Sequence, residues 1–235
     1  MTSETKFATS FTSVWREVTP LSDGYWAVEN MLTRRIVAPM PNKAPKGVRG
    51  AVNELAFIGF SKLANQNRRI PRDEIITTLK ASISEVVSYI NRLSPNDLLH
   101  EDAIDDVCLR EAMQLTLRLL NFFPSGTTTQ IRPKFKGCGI VNACEGDVIS
   151  RDLLIEVKAG DRGFRVSDLR QLLVYSALAY ASDENRFTRI GLFNPRTGMA
   201  WSKSLDEVCM SISGLRANDV LPKLVDHMQV LTASS

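Results

Sequence analysis

Histidine and cysteine are scarce in this chain. His100 and His227 are the only two histidines in 235 residues; each reads as a solvated or helix-capping side chain, and neither is given a role. The four cysteines, Cys108, Cys138, Cys144 and Cys209, form no C-x-x-C pair and no Cys/His spacing, which argues against a zinc site or a disulfide framework and for reduced thiols. No apolar run approaches the roughly 18 residues of a spanning helix. The opening MTSETKFATSFTSV lacks a charged segment followed by an apolar one, so the expectation is a soluble, cytoplasmic protein with no membrane partner. A G-x-x-x-x-G-K-[ST] phosphate loop is missing too, so any strand separation must come from a partner. Repeats and low-complexity tracts are absent. The net charge of +3 is small, but Arg34, Arg35, Lys43, Lys46 and Arg49 follow one another from Asn30 to Asn53 with no acid between them.

What is present is an ordinary globular composition, 44% hydrophobic and 23% charged, enough for one good core or a core plus a helical lobe, and the expectation is one compact unit. Residues 1–47 read as a partly irregular, basic N-terminal arm anchored by Trp15 and Trp26. Residues 48–125 read as a helical lobe. Val52, Leu55, Ala56, Gly59, Phe60 and Leu63 recur at helical spacing, and Ile76, Leu79, Ile83, Val87 and Ile90 continue the period from Asp73 to Leu93. Ser94 and Pro95 then offer a cap and a first-turn proline for a third helix reaching Phe123. Residues 126–235 change texture to short β-branched runs, with strands expected near 129–136, 139–149, 152–159, 188–193 and 198–203. SDLRQLLVYSALAYAS, capped by Ser167, is a helix between the third and fourth strands, and a last helix runs from about Asn218 to Leu231. The class is α/β.

Within that β-rich region GDVISRDLLIEVKAG, residues 146–160, carries charge where apolar side chains prevail. In a strand over 152–159, Leu154, Glu156 and Lys158 share one face. Asp147, before the break at SRD, lies on the neighbouring antiparallel strand and faces the same side. Two carboxylates, with a backbone carbonyl such as that of Val157, make a hard oxygen site suited to Mg²⁺ or Mn²⁺. A lysine beside them can orient or deprotonate water and stabilise phosphorane-like charge. The pattern occurs by chance in chains of this size, and a surface hairpin with a cross-strand ion pair is its plain alternative; its weight comes from the strand–turn–strand setting and the helix that follows.

GDVISRDLLIEVKAG followed by DLRQLLVYSALAY resembles the PD-(D/E)XK nuclease superfamily, in its RecB-like branch, over residues 130–202. The resemblance implies a restriction-endonuclease-like core, a mixed central sheet flanked by helices, with an N-terminal helical lobe. It implies that Asp147 and Glu156 ligate Mg²⁺ or Mn²⁺, that Lys158 is the catalytic lysine, and that Gln171 and Tyr175, one turn apart on one helix face, support the site or touch DNA. An ordinary helix surface with a half-buried tyrosine is the competing reading of that pair. Branch members also supply an acid from an N-terminal helix. Glu54 in RGAVNELAFIGF is the candidate, with Asn53 where a histidine is often found; it could equally pair with an arginine, and Glu111 is held in reserve. Cysteine spacing does not fit the iron–sulphur cluster of some members. Arg49 with the rest of the basic run, and Arg162 and Arg165 in the loop after the catalytic strand, are the candidate DNA contacts. The expected activity is Mg²⁺- or Mn²⁺-dependent hydrolysis of DNA, alongside a helicase or ATPase in DNA repair or phage defence. A non-cleaving DNA-binding or assembly subunit and an RNA-directed enzyme are the alternatives.

Overall fold

The computed structural model of the chain describes residues 1–66, 68–123, 129–184 and 186–233. They form two compact units, one of residues 1–38, 130–194 and 198–235 and one of residues 39–129 and 195–197.

The N-terminal segment belongs to the first unit. Ser3 caps helix α1 (Glu4–Ser10) by accepting the Lys6 N–H at 3.1 Å. Helices α2 (Thr12–Val18) and α3 (Ser22–Leu32) and the edge strand β1 (Arg34–Arg35) follow. The first two helices have 7 residues each, too few turns to show a period in sequence. Tertiary anchors hold them instead: the Trp15 indole donates to the Phe7 carbonyl at 3.0 Å, and its ring meets Phe7 edge-on.

The second unit is helical, built from α4 (Arg49–Leu63), α5 (Arg72–Ala81), α6 (Ile83–Leu93) and α7 (Asp106–Phe122). Val52, Leu55, Ala112 and Leu115 are fully buried at its centre. The continuous helix expected over 73–93 is broken at Ser82, whose hydroxyl donates to the Thr78 carbonyl and accepts from Lys62 Nζ, both at 2.8 Å. Ser94 and Pro95 do not start the third helix. Asn91 instead pins the chain through two hydrogen bonds to the Leu99 backbone, and Asp105 caps α7 by accepting the Cys108 N–H at 2.9 Å.

The chain then returns to the first unit, which is mixed α/β. Strands β2 (Thr129–Ile131), β3 (Lys134–Phe135), β4 (Cys144–Glu145), β5 (Val148–Ser150) and β6 (Leu153–Val157) precede helix α8 (Val166–Ala181). Strands β7 (Arg189–Asn194) and β8 (Met199–Ser204) and helices α9 (Leu205–Ser213) and α10 (Ala217–Ala233) complete it. The main sheet has six strands in the order β1-β8-β7-β6-β5-β2, and β3 pairs with β4 apart from it. The first expected strand is interrupted where Arg132 takes φ +52° before Pro133. β5 and β6 form an antiparallel hairpin, β6 and β7 are parallel, and β7 and β8 are antiparallel. A parallel pair needs a crossover, and α8 supplies it. α8 is apolar almost all round, burying Leu169, Leu172, Leu173, Ala177 and Leu178 completely; it lies between the sheet and helices α1 and α10. Its cap is Arg165, two residues before the Ser167 of the sequence reading, because Asp168 in the first turn accepts the Arg165 N–H at 2.8 Å.

Gly198 closes the β7–β8 hairpin at φ +72°, where an added Cβ would stand 1.9 Å from the Val37 carbonyl oxygen. Gly198→Ala is therefore expected to lower stability by at least about 1–3 kcal/mol, read as the shift of a urea unfolding midpoint.

Candidate active site

β6 carries the charged pair because its alternation does what the sequence suggested. Leu154 enters the core and Glu156 follows on the same face, with Lys158 just past the strand end. Continuing the β5–β6 register, in which Val148 faces Ile155, places Asp147 opposite Glu156. Asp147 Oδ2 accepts the Val157 N–H at 2.7 Å, so the carboxylate replaces a ladder carbonyl at the strand end and is fixed beside the Val157 peptide.

Glu156 is 6% exposed. Its Oε1 accepts from Lys158 Nζ at 2.9 Å, while Oε2 is buried without any hydrogen-bond partner. Burial pushes this carboxyl above its ordinary pKa, against the pull of the Lys158 ammonium, with the negative charge of Glu4 adding to the rise. Burial alone would depress Lys158, yet Glu156, Asp168 and Asp147 outweigh it and hold the ammonium above its usual value. Lys158 is charged at neutral pH.

Gln171 and Tyr175 lie one turn apart on α8 and both point into this cluster. Gln171 Oε1 accepts from Lys158 Nζ at 2.8 Å, and its amide donates to the Tyr175 hydroxyl at 2.9 Å. Tyr175 in turn donates to the Glu145 carbonyl at 3.3 Å and stacks on Phe135. Burial drives its pKa far up, so the phenol acts as a neutral strut. Glu156, Lys158, Gln171 and Tyr175 thus form one hydrogen-bonded chain, and Asp147 stands beside it on the neighbouring strand.

Of the remaining sequence candidates, three belong to the helical unit and two to the loop between β6 and α8. Glu54 and Arg49 lie on α4 of the helical unit, Glu54 partly exposed and Arg49 donating through Nε to the Ala44 carbonyl at 3.2 Å. Glu111, the reserve acid, is committed to structure: Oε2 accepts the Lys43 and Ala44 N–H groups at 2.7 and 2.9 Å, and Oε1 accepts from Arg196 at 2.7 Å. Although burial acts against it, these donors hold its pKa below the ordinary range. Arg162 is paired with Asp168, and Arg165 is exposed at the start of α8.

Three residues that the sequence reading passed over reach the group. Thr2 pairs with the 140–142 turn, donating to Ile140 O at 2.7 Å and accepting the Asn142 N–H at 2.9 Å, which lays α1 against α8. Thr5 Oγ1 there accepts from Gln171 Nε2 at 3.3 Å and donates to Glu4 Oε1 at 3.0 Å. Glu4 brings a third carboxylate close enough to raise Glu156. Asp168, buried at the first turn of α8, lies 3.8 Å from Lys158 Nζ. Only Asp168 had a signal in sequence, one turn before Gln171; Glu4 and Thr5 are brought in by the return of the chain.

Among the described residues no three His, Cys, Asp or Glu side chains are grouped closely enough to hold an ion by themselves. The donors do fit a hard cation of the Mg²⁺ type, which takes one or two carboxylates and keeps much of its water. The buried, unpartnered Oε2 of Glu156 is the observation that favours it, since such an oxygen is costly without a positive partner. In comparisons with known proteins, no family model and no curated sequence matches the chain. Among the described residues no helix is long and apolar enough to cross a membrane.

Proposed function

We propose that this protein is a metal-dependent deoxyribonuclease with a restriction-endonuclease-like core. The convergence of Asp147, Glu156 and Lys158 at the end of the β5–β6 hairpin, with Gln171 holding Lys158 from α8, carries this reading. The hairpin, the crossover helix and the parallel strand β7 supply the mixed-sheet framework that the PD-(D/E)XK resemblance calls for.

Mg²⁺ or Mn²⁺, held by Asp147 and Glu156 with the Val157 carbonyl, would polarise a phosphodiester and acidify water at the site. Lys158, charged and directed by Glu156 and Gln171, places a proton donor where negative charge grows on the phosphoryl oxygens. Tyr175 fixes the Gln171 amide so that its oxygen, and not its nitrogen, meets the lysine. With no phosphate loop for nucleotide hydrolysis, any strand separation would come from a partner, and the family resemblance points to a helicase or ATPase.

Linear, circular and single-stranded DNA incubated with the purified protein in Mg²⁺, Mn²⁺ or EDTA tests the proposal. Cutting is expected with either metal and not with EDTA. Intact DNA in every condition, with the protein folded and binding DNA, supports instead a binding subunit that keeps the fold.

A further inference from the structure

The loop that joins β6 to α8 ends on one buried carboxylate. Asp168, 3% exposed, accepts two parallel hydrogen bonds from Arg162, Oδ2 from Nη1 at 2.7 Å and Oδ1 from Nη2 at 2.8 Å. It also accepts the Arg165 N–H at 2.8 Å, and its Oδ1 lies 3.8 Å from Lys158 Nζ. A bidentate pair fixes the plane of a guanidinium, which a single contact does not. The second Nη1 hydrogen of Arg162 goes to the Gly163 carbonyl at 3.0 Å, leaving the Nε–H and one Nη2 hydrogen for a ligand. The Arg162 side chain remains 37% exposed, so one face of the pair is anchored and the other meets solvent.

We propose that Asp168 is a positioning residue, which presets Arg162 as a contact for a DNA phosphate and ties that contact to Lys158. The inference rests on the nuclease reading of the same site. An exposed arginine without this anchor must be ordered when phosphate binds, and ordering one long side chain costs up to about tenfold in affinity. Asp168 meets that cost during folding. Because the same carboxylate reaches Lys158, its loss acts on the chemical step as well as on binding.

The test is a double-mutant cycle on binding of a fluorescein-labelled single-stranded oligonucleotide in EDTA, with steady-state cleavage in Mg²⁺ alongside. Asp168→Asn and Arg162→Ala are each expected to weaken binding about tenfold, and the double variant no more than Arg162→Ala alone. In Mg²⁺, Arg162→Ala should raise KM with kcat nearly unchanged, whereas Asp168→Asn should raise KM and also lower kcat. Arg162→Lys, which keeps the charge but not the paired geometry, covers the case in which Asp168→Asn fails to fold: it should lose most of the tenfold, and binding like the wild type overturns the proposal. Multiplicative losses in the double variant, or wild-type binding by Asp168→Asn, reduce Asp168 to a brace for the helix and also overturn it. A wild-type protein that binds DNA but never cuts it removes the nuclease reading while the binding cycle still reads out; one that binds no DNA removes this proposal.

Discussion

Lys158→Ala should lower turnover by about 10²–10⁴-fold at saturating DNA and metal, the range for loss of one proton-transferring or charge-stabilising group. Glu156 at 2.9 Å and Gln171 at 2.8 Å aim the ammonium, and no other cation touches the Glu156 carboxylate in the hydrogen bonds and ion pairs described. The substitution also leaves a buried carboxylate with neither oxygen paired, a loss that typically costs about 3–5 kcal/mol and is smaller here because the Lys158 side chain is 21% exposed. Single-turnover cleavage well below the melting temperature of the variant separates the two effects. Turnover within tenfold of the wild type, in a folded variant, would remove Lys158 from the chemistry.

Glu156→Gln should have opposite effects on activity and on stability. Cleavage is expected to drop by at least about 10²-fold, since the carboxylate that favours a cation is gone. The metal-free protein, in contrast, should melt at a higher temperature than the wild type. The Glu156 carboxyl titrates above its ordinary 4.5 in the folded protein because it is buried, so folding is penalised once it ionises. The sign follows: below pH 4.5 the acid is protonated folded or unfolded and the penalty is absent, and stability is lost as pH rises through the folded value. The gain of the variant should therefore grow with pH across that window and then level off. Adding Mn²⁺ should stabilise the wild type and not the variant. Equal melting curves at every pH would mean that Glu156 is a satisfied structural acid.

Much of this site was legible from one stretch of sequence because strand alternation is a local rule. GDVISRDLLIEVKAG sets Glu156 and Lys158 on one face whatever surrounds them, and helical spacing sets Gln171 beside Tyr175. Long elements with repeated turns, such as α4 and α8, showed themselves for the same reason. The short N-terminal helices did not, since their stability comes from Trp15 and Phe7 meeting in three dimensions. Glu4 and Thr5 reach the site only because Thr2 pairs with the turn at 140–142, a contact with no trace in spacing. The break at Ser82, where the backbone N–H turns to the Leu79 carbonyl, and the late start of α7, where Asn91 holds the Leu99 backbone, leave no mark on the apolar period. Glu111 looked like an available acid in a helix; its partners Arg196, Lys43 and Ala44 come from distant segments.

On the proposed function, the two acids of the hairpin hold a divalent cation. Titration of the wild-type protein and of Glu156→Gln with Mn²⁺, followed by electron paramagnetic resonance of the unbound ion at neutral pH, tests it without any DNA. Saturable binding by the wild type, lost or greatly weakened in the variant, is the predicted result. No binding by the folded wild-type protein, or the same binding by both, would contradict it.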